Sequence, residues 1–241
     1  TAVLLEGDAN FVQGNFIGVN ESGSELVEEP WTVGIWVDSE YNWIGGLEPG
    51  TGNLISGARK TALLLAAEAS NNQVRGNSVG TDLIGTTDLG VSGHGVTVFS
   101  SNNKITENRI AFNRASGVAV GAATDHPPGR KNSILSNLIY GNANNAVFLE
   151  KIDPADRMDR DGGSNDGQNS PRLTGATLTT TGDQPLLRVR GELHSLPDER
   201  FTIQIFSNID CDRQGRYLLE SFEGTSDGAG NLSFSRSLTT S

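Results

Sequence analysis

The segment between residues 153 and 171 carries several acidic and amide side chains, with glycines in its middle. Carboxylate and amide oxygens on a flexible loop are the donors that Ca²⁺ prefers, roughly six to eight of them at about 2.3–2.6 Å. The sequence therefore predicts a Ca²⁺ site, and the candidate ligands are Asp156, Asp159, Asp161, Asn165 and Asp166. Because the spacing differs from an EF-hand loop and lacks its closing glutamate, a solvated acidic linker is the alternative.

Arg75 and Arg109 are weak candidates for catalysis. Cations on neighbouring strands can neutralise a uronate carboxylate while its α-proton is abstracted, which is lyase chemistry. A pair of carboxylates suited to glycoside hydrolysis, about 5–9.5 Å apart, is not expected. In the strand register predicted below, Asp38 and Glu150 lie four coils, or ~19 Å, apart. Surface ion pairing of the two arginines is the alternative, and we expect no catalysis in this piece of chain.

Apolar side chains suggest a third kind of chemistry, which is stacking on sugar rings or docking of a partner. In the same register several of them point outward from one sheet or just beyond it, and the binding candidates are Trp36, Leu64, Phe99 and Phe148. Trp31 and Trp43 add to this aromatic surface. The alternative is that loops cover it.

The composition limits the class of protein that these residues belong to. The chain has 241 residues, 30 glycines, one methionine and one cysteine, and its formal net charge is −11. With no apolar run near ~18 residues, we expect no membrane insertion. The negative charge repels phosphate, so we expect no nucleic-acid partner. A single cysteine excludes an internal disulfide.

An internal repeat positions the candidate residues. Asn, a branched aliphatic residue and Gly or Asn recur in a short pattern at 10–18, 52–57, 71–80, 102–110 and 132–141. The steps between copies are roughly 24 to 38 residues, as in solenoid proteins. A second short strand follows each copy, at 34–37, 63–65, 95–98, 117–120 and 146–149.

Strands this short cannot form a core alone, so the repeats must stack with parallel pairing and inward Val, Ile and Leu. Asparagine at the same coil position can bond the amide in the next coil and form a ladder. Seventeen of the 21 asparagines precede residue 151, which confines the repeat to that region.

Residues 1–152 resemble the right-handed parallel β-helix repeats of the pectate-lyase-like superfold. The stretch from Asn77 to Thr86, Asn-Ser-Val-Gly-Thr-Asp-Leu-Ile-Gly-Thr, closely resembles a motif of large secreted bacterial β-helix repeat proteins. The resemblance implies this fold and an extracellular or cell-surface location. It does not imply one activity, because the superfold includes lyases, hydrolases, epimerases, tailspikes and adhesins.

The composition changes after residue 152. Residues 153–171 have no apolar periodicity and indicate a linker, while alternating segments at 186–193, 201–206, 217–222 and 232–235 predict an antiparallel β-sandwich over 172–241. Similar secreted proteins carry an Ig-like module here with one or two more strands. We therefore expect an all-β chain, a right-handed parallel β-helix followed by a truncated antiparallel β-sandwich, cut from a longer protein.

The functional expectation is a structural or adhesive module that presents the β-helix surface to a glycan or a cell-surface protein. One alternative is a polysaccharide lyase or glycoside hydrolase that acts on acidic polysaccharide. Another is a self-assembling subunit of a surface filament or layer, in which exposed edges pair between copies.

Overall fold

The computed structural model describes residues 1–28, 31–150, 159, 162–180, 185–209 and 214–239. The chain forms two compact units. The first comprises Thr1–Lys151, Gly163–Asn165 and Ser207–Tyr217, and the second comprises Ile152–Gly162, Asp166–Phe206 and Leu218–Ser241. The structure confirms the predicted all-β class, with a parallel β-solenoid followed by antiparallel strands.

Among the described residues of the first unit, sixteen short strands form three parallel sheets. Sheet A contains β1 (Val3–Leu5), β4 (Val33–Val37), β7 (Thr61–Leu65), β10 (Val96–Val98), β13 (Val118–Val120) and β16 (Val147–Leu149). Sheet B contains β2 (Phe11–Val12), β5 (Trp43–Gly45), β8 (Gln73–Arg75), β11 (Lys104–Thr106) and β14 (Ser133–Leu135). Sheet C contains β3 (Phe16–Ile17), β6 (Leu54–Ile55), β9 (Ser78–Val79), β12 (Arg109–Ala111) and β15 (Leu138–Tyr140). One coil contributes one strand to each sheet.

The register aligns one inward aliphatic residue per strand into a continuous core. In sheet A, for example, Ile35 pairs with Leu63, and Leu63 with Val96. All three side chains are fully buried. Burial of this stacked aliphatic column supplies the apolar free energy that no single coil could supply alone.

Asparagine ladders run along the solenoid, as predicted. In each ladder the backbone N–H of one asparagine donates to the side-chain oxygen of the residue below it. For Asn77 and Asn108 this distance is 3.0 Å, and the Asn77 side-chain amide donates to the same oxygen at 2.9 Å. The first ladder contains Asn10, Asn42, Asn72, Asn103, Asn132 and Asn165. The second contains Asn15, Asn53, Asn77, Asn108 and Asn137.

A third ladder, Asn113–Asn142–Gln214, shows how the C-terminal end of the solenoid is closed. The side-chain oxygen of Gln214 accepts the N–H of Asn142 at 3.1 Å, although the two residues are 72 positions apart. Gly215 forms an isolated bridge with Ile139, and the guanidinium of Arg216 lies 4.5 Å from the centre of the Tyr140 ring. Gln214 and Asn165 thus take the places that asparagines of a further coil would occupy.

The second unit contains two sheets. β17 (Arg172–Thr179), β18 (Leu186–His194) and β21 (Asn231–Thr239) pair antiparallel, and β19 (Arg200–Ser207) pairs with β20 (Tyr217–Thr225). Leu193, Ile203 and Leu232 form a small core to which both sheets contribute. β17 lies at a sheet edge, and all eight of its residues are exposed.

Candidate functional site

A groove opens in the outer wall of the solenoid where sheet B turns into sheet C, across the first three coils. Its cavity volume is about 450 Å³. The lining, which we call the glycine groove, consists of Gly14, Phe16, Gly46, Leu47, Glu48, Gly50, Gly52, Asn53, Gly76, Ser78 and Leu83. Phe16, Leu47 and Leu83 supply apolar side chains, while much of the rest is backbone.

Few side chains project into the groove, because neighbouring coils stack too closely there to leave room for Cβ atoms. A Cβ on Gly52 would lie 2.2 Å from the carbonyl oxygen of Gly76. One on Gly76 would lie 2.1 Å from the carbonyl oxygen of Gly46. Gly52 and Gly76 therefore satisfy coil stacking, and a bound molecule would meet main-chain amides on this part of the groove floor.

Two exposed aromatic rings lie beside the groove on sheet B. Phe11 and Trp43 are register partners, and their rings stack with centroids 5.7 Å apart and an interplanar angle of 29°. Phe11 is 66% exposed and Trp43 is 42% exposed. We call them the aromatic pair. Gln13, two residues after Phe11, donates to the Gly45 carbonyl at 3.0 Å and lies at the groove edge beside Gly46.

The wall that carries Leu83 is a hairpin loop closed by a bridge between Thr81 and Asp88. Inside the loop the buried Asp82 carboxylate accepts the N–H groups of Thr86 and Thr87 at 2.8 and 3.2 Å. It also accepts the Thr87 hydroxyl at 2.8 Å. Burial raises the pKa of Asp82, but these hydrogen bonds outweigh it and hold that pKa well below its usual range.

Two side chains from later coils hold the same loop from outside. Arg109 donates to the Leu83 carbonyl at 3.0 Å, and the Tyr140 hydroxyl donates to the Gly85 carbonyl at 2.7 Å. Tyr140 is itself buried against Phe112, edge to face at 5.7 Å. The position of the Leu83 wall is therefore fixed by hydrogen bonds at both ends of the loop tip.

We expect Asp82→Asn to destabilise the protein by about 1–3 kcal/mol at neutral pH, because the charged acceptor of two backbone N–H groups and a hydroxyl is lost. The folded-state pKa lies below the unfolded value of about 3.9. The charge contribution is therefore complete above that value and is lost as the pH falls towards the folded-state pKa. Urea unfolding should show a constant gap between wild type and variant from pH 7 to pH 5, and a narrowing gap below pH 4.

Asp88→Asn is the matched control, since Asp88 closes the same loop but is exposed and pairs with Arg114 at 2.9 Å. An exposed pair contributes only about 0–1 kcal/mol. A gap that already narrows between pH 7 and pH 5 for Asp82→Asn would contradict the depressed pKa.

The structure separates the two predicted cationic candidates. Arg75 lies in sheet B and its Nε is 2.5 Å from a Glu107 carboxylate oxygen. Arg109 lies in sheet C and is engaged with the Leu83 loop. In register, Arg75 pairs with Thr106 and Arg109 with Ser78, so the arginines are not register partners.

The predicted apolar candidates differ in exposure. Trp36, Leu64 and Phe148 lie in one register row of sheet A, with Thr97 and Ala119 between them. Leu64 is buried, Trp36 and Phe99 are partly buried, and Phe148 is 40% exposed, with the ring of His94 stacked 6.4 Å from its own. The Trp36 ring nitrogen is buried without a hydrogen-bond partner among the described residues.

Sequence reasoning missed Phe11, Phe16 and the groove itself. A signal for the first was present, since Phe11 follows Asn10 as Trp43 follows Asn42, although Asn42 lies outside the repeat copies identified above. The groove could not be found in this way, because it depends on how residues 46–51 fold between β5 and β6.

The predicted Ca²⁺ segment is only partly within the described residues, because Asp156 and Asp161 lie outside them. The Asp159 carboxylate accepts the Asn169 N–H at 3.0 Å and the Ser195 hydroxyl. Asn165 serves as the last rung of the first asparagine ladder, and Asp166 is in the short 3₁₀ helix Ser164–Gly167. Within the described ranges no three His, Cys, Asp or Glu side chains cluster as metal ligands. Ca²⁺ binding stays a prediction.

Comparison of the sequence with protein-family models gives no match, and comparison with curated proteins gives none. In the part of the chain that the structure describes, no helix is both long enough and apolar enough to cross a membrane.

Proposed function

We propose that the solenoid is an extracellular, non-catalytic binding module whose ligand is a neutral glycan chain. The observation that carries this proposal is the aromatic pair, two stacked and exposed rings that continue through Gln13 into the glycine groove. The resemblance to secreted bacterial β-helix repeat proteins supports the extracellular location.

The surface offers both kinds of contact that a sugar chain needs. The C–H face of a pyranose stacks on aromatic rings, which Phe11, Trp43 and Phe16 provide. Sugar hydroxyls need donors and acceptors, and the groove presents backbone groups together with Gln13 and Ser78. A concave site with few, fixed polar groups beside apolar ones is typical of ligand binding.

Charge favours a neutral chain over an acidic one. The protein carries a formal net charge of −11. Among the residues that line the groove, Glu48 is the ionisable one. A polyuronate would meet repulsion there, with no lining cation to offset it. The same lining lacks the two carboxylates that glycoside hydrolysis uses, which supports binding without turnover at this site.

Affinity electrophoresis tests the proposal directly. Native gels would contain a neutral galactomannan, a neutral β-glucan or polygalacturonate, and the mobility of the protein would be compared with that in plain gels. We expect retardation by a neutral polymer and none by polygalacturonate. The double variant Phe11→Ala/Trp43→Ala should bind about tenfold more weakly, since each ring contact is worth about 0.5–1.5 kcal/mol.

Trp31→Ala is the matched control, because Trp31 is a half-exposed tryptophan just before β4, outside the aromatic pair and the groove lining. It should be retarded like the wild type. Equal retardation of all three proteins would show that binding occurs elsewhere. No retardation by any neutral polymer would remove the support for a neutral glycan.

A further inference from the structure

Tyr41 occupies a strained corner of the solenoid. It precedes the ladder residue Asn42 and has a φ of 58°, in the left-handed region. At four of the other five positions of this ladder the residue before the asparagine has the same backbone conformation, with φ between 54° and 61°, at Ala9, Asn71, Asn102 and Lys131. The fold therefore imposes this conformation on Tyr41.

The residue type at this corner is unfavourable for that conformation. Asparagine tolerates the left-handed region because its short polar side chain bonds locally, and the next two coils use asparagine here. A bulky aromatic residue is an outlier in it. A tyrosine at this position needs some other reason.

An aromatic partner accounts for one such residue elsewhere in the described structure but not for Tyr41. Phe112 also has a left-handed φ, 59°, but its ring packs edge to face on Tyr140. The Tyr41 ring is 56% exposed and has no aromatic partner among the described residues. Strained backbone positions cluster at active sites and ligand clamps, and an exposed aromatic ring offers a large apolar face for ligand contact.

We propose that Tyr41 is a third ring of the glycan-binding surface, retained for ligand contact at the expense of backbone strain. It is two residues from Trp43 in the same coil, so their Cα atoms are within about 7 Å. The three rings of Phe11, Tyr41 and Trp43 then span the corner between sheets A and B. This inference rests on the proposed function and adds the residue that extends the surface beyond the aromatic pair.

The substitution Tyr41→Asn tests this inference, because it should stabilise the fold and at the same time weaken glycan binding. The melting temperature should rise by about 2–4 °C, because the corner then has asparagine, the residue that the next two coils have there. Retardation by the neutral polymer identified for the wild type should weaken by about fivefold or more. Asn102→Tyr, two coils beyond Tyr41 and with a φ of 60°, is the control for strain and should lower the melting temperature without changing retardation.

The outcomes separate this inference from the proposed function. If Phe11→Ala/Trp43→Ala loses binding while Tyr41→Asn binds like the wild type, Tyr41 is not a ligand residue and the aromatic pair stands. If both variants bind like the wild type, the proposed surface itself is wrong. A lower melting temperature for Tyr41→Asn would overturn the strain that the inference depends on.

Discussion

Gly18→Ala is expected to destabilise the protein by about 2–5 kcal/mol, the sum of a left-handed backbone and overpacking. Gly18 follows β3 and has a φ of 79°. A Cβ at this position would lie 2.0 Å from the Ser56 carbonyl oxygen of the next coil. That oxygen belongs to the backbone and cannot move without separating the coils. Urea unfolding followed by circular dichroism would measure the loss.

Gly50→Ala measures the free-energy cost of the left-handed backbone alone. Its φ is 81°, almost that of Gly18, but a Cβ on Gly50 would meet no atom of the described residues within 4 Å. Only conformational strain remains, so the expected loss is about 1–2 kcal/mol. Equal losses for the two variants would contradict the coil contact at Gly18.

Asn77→Ala is expected to destabilise the protein by about 3 kcal/mol or more. The Asn77 side-chain oxygen accepts the backbone and side-chain N–H groups of Asn53 at 3.1 and 2.9 Å, and its amide donates to the Ile44 carbonyl at 2.9 Å. Alanine leaves several of these buried groups unsatisfied, at about 1–3 kcal/mol each. Equilibrium unfolding in urea would measure the difference.

Asn15→Ala is the matched control in the same ladder. Asn15 donates to Asn53 just as Asn77 donates to Asn108, but it lies in the first coil and is exposed. Water can replace the contacts it loses, so we expect a loss of about 1 kcal/mol or less. Similar, small losses of unfolding free energy for both variants would contradict the prediction and show that the ladder contributes little to stability.

The repeat made most of the solenoid predictable. Asparagine spacing and clustered aliphatic residues located the coils, and the outward row from Trp36 to Phe148 followed from pairing alone. The exposure of these side chains was harder to predict. Strand pleating gives the direction in which a side chain points, but it does not show which residues cover that side chain. Leu64 points outward and is nevertheless buried.

The loop around Asp82 and the closure of the solenoid at its C-terminal end could not be predicted from the sequence. The Leu83 wall depends on a hydrogen-bonded loop around Asp82 and on Tyr140, which is 55 residues from its partner Gly85. The end of the third ladder depends on Gln214, in a segment with no repeat pattern. Contacts this distant are not encoded in a local period, so neither the groove nor the closure had a sequence signal.

Binding of a neutral glycan chain without cleavage can be measured in one incubation. The protein would be mixed with the neutral polymer that retards it, and the bound fraction and the molar mass of the polymer would be followed over a day by light scattering after size exclusion. We expect a retained complex and a polymer of unchanged mass. A falling molar mass would contradict this expectation and indicate an enzyme, as would release of unsaturated products from polygalacturonate that is lost in Arg75→Ala or Arg109→Ala.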